Sequence, residues 1–251
     1  MKKYELLIII PARSGSKQIK NKNLVKINKH PLISYSIAAA HKIKVNKKII
    51  FCSTDSKKIK NIAASYGATI PFLRPKKISG NKSRDLEFVN HSLINFFKNN
   101  KIFKFGLILR PTSPIRKISS LNFAYKKFKN NLKMDSMRAI TPSYSNPFKS
   151  WFINKNFLEN VITKSKIHEH FNAPRQILPK TYYQTGNFEF FKINYKKKIK
   201  SISQKNIGYF KVIGPECIDI DKKKDFKHTQ KLINSHKFIV PKKLKIINKI
   251  F

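Results

Sequence analysis

Leu6-Leu-Ile-Ile-Ile10, running straight into Pro11-Ala-Arg-Ser-Gly-Ser-Lys17 and then Lys22-Asn23, decides the fold. Five apolar residues in a row have the length of a strand, and an unbroken run marks a strand covered on both faces. Such strands belong to parallel sheets with helices on each side, where ligands bind beyond the carboxyl ends of the strands. The loop that follows sits at that place. Its small residues let backbone approach phosphate oxygens, while Arg13, Lys17 and Lys22 supply positive charge. The spacing G-x-x-x-x-G-K-[ST] is absent, so this is not a Walker A loop, and a lone Gly15 makes no dinucleotide fingerprint. A solvated basic turn is the bland alternative.

Downstream the pattern repeats. Pro31 opens a helix with Ile33, Ile37 and Ala40 on one face. Lys48 to Ser53 reads as the second strand, after which Asp55 is expected to cap a helix carrying Ile59, Ile62, Ala63 and Tyr66, stopped by Gly67. A short strand near Thr69 to Leu73, a helix from about 85 to 97, a strand from Phe105 to Leu109 and a helix capped by Ser119 complete the rhythm. Alternating strands and helices predict an α/β chain, with a mainly parallel, Rossmann-like sheet. The rhythm breaks after Met137. Residues 142–183 are rich in Pro and aromatics with weak periodicity, and read as an inserted lid or oligomer contact. Strands resume near 188–193 and 209–213, and a last helix spans about 222–235. The basic tail, 236–251, reads as a docked or frayed terminus rather than a membrane-lying helix.

Composition narrows the function classes. With 251 residues and 41% hydrophobic content, one domain with a sizeable insertion can bury a full core. The first apolar run is too short to span a bilayer and no cleavage site follows it, which leads to the expectation of a cytoplasmic protein. Cys52 and Cys217 are too few for a disulfide framework. Lys and Arg total 54 against 12 acids, a net charge of +42. A nucleic-acid binder would show such an excess. Here, however, Lys is scattered through every segment beside abundant Ile and Asn, as an A/T-rich coding sequence would supply, and a specific nucleic-acid partner is not expected. The excess still favours encounter with anionic ligands.

Against that background the minority residues stand out. The seven Arg are at 13, 74, 84, 110, 116, 138 and 175. In a Lys-rich chain, Arg marks positions where the planar fork is wanted. Asp219, Asp221 and Asp225 fall within seven residues, where a uniform density of the 12 acids would place roughly a third of one. If residues 217–221 are extended, Asp219 and Asp221 point to one side and suit a hard cation such as Mg²⁺. The competing explanation is that Asp221 caps the last helix and Asp225 favours its positive end.

Ile10-Pro-Ala-Arg-Ser-Gly-Ser-Lys17 with Lys22-Asn-Leu24, then Cys52-Ser-Thr-Asp55, Leu73-Arg-Pro75, Arg110-Pro-Thr-Ser-Pro114 and Ile218-Asp-Ile-Asp221 occur in a set order. Together they resemble the acylneuraminate cytidylyltransferase family, related to the CMP-Kdo synthetases, over roughly residues 5–235. The resemblance implies a nucleotide-diphospho-sugar transferase fold, dependence on Mg²⁺ and a homodimer built through the 142–183 insertion. It implies CMP transfer from CTP to an acidic keto sugar of the sialic acid kind, with Kdo, legionaminic or pseudaminic acid as alternatives. Ala12, Arg13, Ser14, Gly15, Lys22, Asn23, Arg74 and Asp85 would hold the nucleotide. Arg110, Thr112, Ser113, Arg175, Gln176, Tyr183 and Gln184 would face the sugar, while Asp219 and Asp221 would hold the metal. Arg13, Lys22 and Asp221 would serve the chemistry. The chain departs from many members at Gln18, where Gly is usual, at Asp85, where Ser is frequent, and at Arg110, where Gln is frequent.

Overall fold

The structure is a computed structural model that describes residues 1–16, 18–194, 198–235 and 238–244. It divides into two compact units, one formed by Met1–Ala139 with Thr185–Phe251 and the other by Ile140–Gln184.

In the first unit, β1 (Lys2–Pro11) is the strand predicted from the apolar run, and it leads through a short hairpin, β2 (Lys26–Ile27) and β3 (His30–Pro31), into α1 (Leu32–His41). Next come β4 (Lys48–Ser53), α2 (Lys57–Ser65), α3 (Asp85–Lys98), β5 (Lys101–Ile108), α4 (Ile118–Asn130) and β6 (Ser136–Pro142). Strands β7 (Trp151–Asn154) and β8 (Phe157–Asn160) belong to the second unit. β9 (Tyr182–Lys192), β10 (Ile207–Lys211) and α5 (Lys223–Ser235) close the order. The main sheet runs β10-β6-β9-β5-β1-β4. β4 and β5 both lie parallel to β1, whereas β9 is antiparallel to β5.

Alternation along β1 divides the core in two. Leu6, Ile8 and Ile10 face Ile33 and Ile37 of α1, Ile59 and Ala63 of α2, and Leu121 and Ala124 of α4. Leu7 and Ile9 face the opposite side, against Phe88, Val89 and Phe96 of α3. A strand buried on both faces therefore needs helices on both faces, and the continuous apolar run is the sequence trace of that requirement. On the second face the rings of Phe51, Phe72, Phe96 and Phe103 meet edge-on or tilted, with centroids 4.9–5.4 Å apart.

Several expectations are corrected. Asp55 does not cap α2; Ser56 does, its hydroxyl accepting from the Ile59 N–H at 3.3 Å. Ser119 lies inside the first turn of α4, whose start is held by Glu216, accepting from Lys117 N–H at 2.9 Å and from the Ser120 hydroxyl at 3.3 Å. The strand expected at 69–73 shrinks to a single bridge between Thr69 and Phe51. β6 continues through the segment where the periodicity fades, and β9 begins six residues earlier than the strand expected from 188. Within the tail, Leu244 N–H donates to the Ser65 carbonyl at 3.0 Å; residues 236–237 and 245–251 lie outside the described residues.

The second unit carries the β7–β8 hairpin, antiparallel with Trp151 opposite Asn160 and Asn154 opposite Phe157. Trp151 packs on Phe171, ring centroids 4.9 Å apart. Phe152, Ile153, Phe157 and Leu158 of the hairpin remain exposed.

Candidate active site

The chain leaves β1 towards β4 on one side and returns through α3 to β5 on the other. The carboxyl ends of β1 and β5 thus border a topological switch point, the usual place for a ligand crevice in an open α/β sheet. A cleft of about 550 Å³ opens there. From the loop after β1 it takes Arg13, Ser16, Gln18, Lys22 and Asn23; from the segments around α3, Arg74, Ser83, Asp85 and Phe88; from the loop after β5, Arg110 and Thr112; and from the approach to α5, Asp221.

The first loop is tied at both ends. Asn23 Nδ2 donates to the Arg13 carbonyl at 3.1 Å, closing the loop on itself. Ser14 gives both its N–H (2.8 Å) and its hydroxyl (2.6 Å) to the two oxygens of Asp55. A side-chain carbon added at Gly15 would meet nothing within 4 Å, so the missing side chain leaves open space above the loop. The Arg13 guanidinium has no side-chain partner among the described residues and lines the cleft. Lys17, expected to add charge, lies outside the described residues.

Ile220 joins three loops. Its side chain is fully buried while Asp219 and Asp221 on either side are exposed, the alternation expected of an extended segment. Its N–H donates to the Thr112 carbonyl at 2.8 Å, and its own carbonyl accepts from Lys22 Nζ at 2.7 Å. Lys22 also lies 3.2 Å from Asp221 Oδ1, whose side chain is 59% exposed. Asp219 accepts from the Ser113 hydroxyl at 3.3 Å, and Gly186 passes so close that a side-chain carbon there would sit 2.5 Å from Ser113 Oγ. Asp225 accounts for the start of α5: it accepts the N–H groups of Asp221 at 2.8 Å and Lys222 at 2.6 Å, and these bonds hold its pKa below the usual carboxylate value. The capping explanation therefore takes Asp225; Asp221 lines the cleft, while Asp219 is held by Ser113 outside the cleft lining. Among the described residues no cluster of three or more His, Cys, Asp or Glu could hold a metal. A pair of exposed carboxylates fits Mg²⁺, which keeps several waters and takes one or two carboxylates together with substrate phosphates.

Arg74 and Arg110 line the cleft, whereas Arg116 braces backbone beside it. Arg74 is 6% exposed and donates from Nε to Ser53 Oγ (3.0 Å) and from Nη2 to the Ser53 carbonyl (2.8 Å), with Phe88 stacked 4.7 Å from its guanidinium carbon. Burial lowers its pKa to about 10 against the raising effect of Asp55 and Asp85. Arg110 is ion-paired to Asp85 and lies 3.6 Å from Glu189, which Arg138 approaches at 2.7 Å from the other side. Burial disfavours the charge of Arg110, but the hydrogen bond and charge of Asp85, with Glu189 and Asp219, outweigh it and raise its pKa. Arg116 is 1% exposed and braces the β5 loop: Nη2 reaches the Arg110 carbonyl at 2.8 Å, Nε the Asn187 carbonyl at 2.8 Å and Nη1 Ser36 Oγ at 3.0 Å. Burial pulls its pKa to about 9.

The cleft thus gathers Arg13, Lys22, Asn23, Arg74, Asp85, Arg110, Thr112 and Asp221 from the residues singled out in the sequence. Ala12 and Ser113 are buried beside it, and Ser14 is turned towards Asp55. Arg175, Gln176, Tyr183 and Gln184 belong to the second unit. Sequence reading assigns no role at the cleft to Asp55, Arg116 or Glu189. Arg116 carries a signal, as one of seven Arg, and Asp55 stands in a matched motif.

The cytidylyltransferase family model matches residues 7–149, from β1 to the end of the loop after β6. The chain is 34% identical over 231 residues to the CMP-N,N'-diacetyllegionaminic acid synthase of Campylobacter jejuni, covering 92% of this chain and 95% of that one. It is 31% identical over 232 residues to the post-translational flagellin modification protein B of Campylobacter coli, covering 91% and 95%. Among solved structures, a CMP:2-keto-3-deoxy-manno-octonic acid synthetase complexed with CTP superposes with a TM-score of 0.64 over 92% of this chain and 99% of that one, at 12% identity, a likeness of fold. With its cleft at the switch point and its basic first loop inside the matched region, the chain belongs to the cytidylyltransferase family, among those of acylneuraminate type, and is a nucleotidyltransferase.

Proposed function

We propose that the protein transfers CMP from CTP to the anomeric hydroxyl of an acidic keto sugar of the sialic or legionaminic acid kind, releasing pyrophosphate. The observation that carries this reading is the convergence of Arg13, Lys22, Asn23 and Arg74 with Asp221 in one cleft at the switch point. Three cationic side chains, Arg13, Lys22 and Arg74, line the cleft where a triphosphate would lie, and Arg110 adds a fourth charge on the sugar side.

Transfer requires an in-line attack on the α-phosphorus, and the protein's part is positioning and charge stabilisation. The Arg13 guanidinium, with no side-chain partner among the described residues, is placed to take a phosphate oxygen. Lys22 is held by the Ile220 carbonyl and Asp221, so its ammonium is oriented before substrate arrives and adds charge where pyrophosphate develops. Asp219 and Asp221 would hold Mg²⁺, which would neutralise and orient the phosphate oxygens. Asp85 would accept from the amino group of cytosine. Arg110, Thr112 and Ser113 would form the sugar side, and the family resemblance adds Arg175, Gln176, Tyr183 and Gln184 as sugar residues. The exposed apolar side chains of the β7–β8 hairpin support assembly as a homodimer through the second unit. For location, the residues bear on one point: among those described, no helix is long and apolar enough to cross a membrane. A cytoplasmic enzyme remains the proposed setting.

Pyrophosphate release from CTP against a panel of acidic keto sugars tests the reading. N,N'-diacetyllegionaminic or sialic acid is expected to give turnover that UTP does not support, because uracil presents a carbonyl where cytosine offers an amino donor. Equal use of both nucleotides would remove Asp85 from base recognition, and no release with any sugar would overturn the proposed reaction.

A further inference from the structure

We propose that Asp55 is a positioning residue for nucleotide binding, acting through Ser14 to hold the first loop in its phosphate-accepting shape. The inference rests on the nucleotidyltransferase reading of the cleft and assigns a role to a side chain outside its lining. Asp55 spends both carboxylate oxygens on one residue 41 positions away, taking the Ser14 N–H at 2.8 Å and the Ser14 hydroxyl at 2.6 Å. Its own seat is fixed. The neighbouring Ser53 is gripped twice by Arg74, and Arg74 N–H donates to the Thr54 carbonyl at 2.7 Å. The Ser53 carbonyl also accepts from Ala12 N–H at 2.9 Å, joining this segment to the foot of the loop. A chain of bonds therefore runs from the buried Arg74 through residues 53–55 to Ser14, next to Arg13 and to the open space over Gly15.

With its N–H and hydroxyl both committed, Ser14 has no donor left for a phosphate, so phosphate contacts fall to Arg13 and to the residues after Ser14. A carboxylate beside a site for a polyanion also opposes binding by charge alone. Its geometric service must outweigh that repulsion. The sign of the mutational effect therefore separates geometry from charge. Removing Asp55 should strengthen CTP binding if charge dominates and weaken it if loop positioning dominates.

The test is calorimetric titration of CTP, in magnesium-containing buffer, into wild type, Asp55→Ala, Asp55→Asn and Ser14→Ala, followed by turnover with the accepted sugar. Asp55→Ala should weaken CTP binding about tenfold or more, the scale of a lost charge-assisted hydrogen bond. Asp55→Asn keeps an oxygen for the Ser14 N–H and can donate to the Ser14 hydroxyl, so its affinity should match wild type or exceed it. Ser14→Ala, losing one of the two bonds, should fall between. In turnover the KM for CTP should rise in Asp55→Ala with the KM for the sugar unchanged, a split that general loss of structure would not produce. Wild-type affinity in Asp55→Ala, or an Asp55→Asn as weak as the alanine variant, would overturn the proposal. Should the alanine variant fail to fold, Ser14→Ala with unchanged CTP affinity would do the same. A wild-type protein that does not bind CTP at all would instead sink the underlying reading of the cleft.

Discussion

Arg110 reaches the cleft with a carboxylate on each side, Asp85 in direct contact and Glu189 at 3.6 Å. A lysine in its place would keep one charge but could not span two partners and a ligand at once, because its ammonium is a point rather than a fork. Arg110→Lys is therefore expected to raise the KM for the sugar by about ten- to a hundredfold, on the order of 1–3 kcal/mol for a charged hydrogen bond. The KM for CTP should stay within about threefold of wild type, its triphosphate being held by the first loop. A rise confined to CTP would show that Arg110 serves the nucleotide through Asp85. Rarity in a Lys-rich chain singles out Arg13, Arg74 and Arg110, all of which line the cleft. It does not distinguish them from Arg116, equally rare, which is buried as a brace for backbone carbonyls. The expectation of Asp55 as the cap of α2 fails because the neighbouring Ser56 takes that place. Both are good capping residues, and the choice is made by Ser14, a contact 41 residues distant.

The elements that position the site differ in how plainly the sequence marks them. β1, α1, β4 and α3 follow from apolar periodicity because each buries a continuous face. β6, Ser-Met-Arg-Ala-Ile-Thr-Pro, mixes polar with apolar positions, and its strand character comes from neighbours on both sides of it in the sheet. The β7–β8 hairpin turns at Lys155, φ 53°, without the Gly that usually signals such a turn. At the start of α5 the acids have separable duties. Asp225→Ala should lower stability by about 0.5–2 kcal/mol, as loss of a helix-start carboxylate does. Asp221→Asn should leave the melting temperature near wild type, since an exposed side chain packs little, while activity falls by orders of magnitude. A variant Asp221→Asn that is active but melts early would return that residue to the helix. The Asp225 contribution also has a pH signature. Its folded pKa lies below the ordinary 3.8, so the stabilisation is present above that value and is lost as pH falls through the lower, folded one. Acid titration of the melting temperature should show a smaller drop in Asp225→Ala than in wild type.

At the scale of the whole molecule, +42 is the property most open to misreading. The cleft shows where charge is organised: Arg13, Lys22, Arg74 and Arg110 converge, and Asp85 and Asp221 face them. The remaining lysines are spread through every segment of the chain. Binding to random duplex DNA is accordingly expected to be weak at physiological salt and without sequence preference, read by fluorescence anisotropy across a salt series. Tight, salt-resistant binding would point to an organised polyanion surface instead. If the exposed hairpin forms the dimer contact, Ile153→Asp should shift sedimentation from dimer to monomer, and an unchanged dimer would place the contact elsewhere. The reaction itself is defined by the bond made. Phosphorus NMR of the protein with CTP, Mg²⁺ and N,N'-diacetyllegionaminic acid follows every phosphorus at once. The expected result is sugar-dependent loss of the three CTP resonances, with one new phosphodiester signal and one equivalent of pyrophosphate growing together. CTP unchanged in the presence of that sugar and of sialic acid, or cleaved to CDP and inorganic phosphate without any sugar, would contradict it.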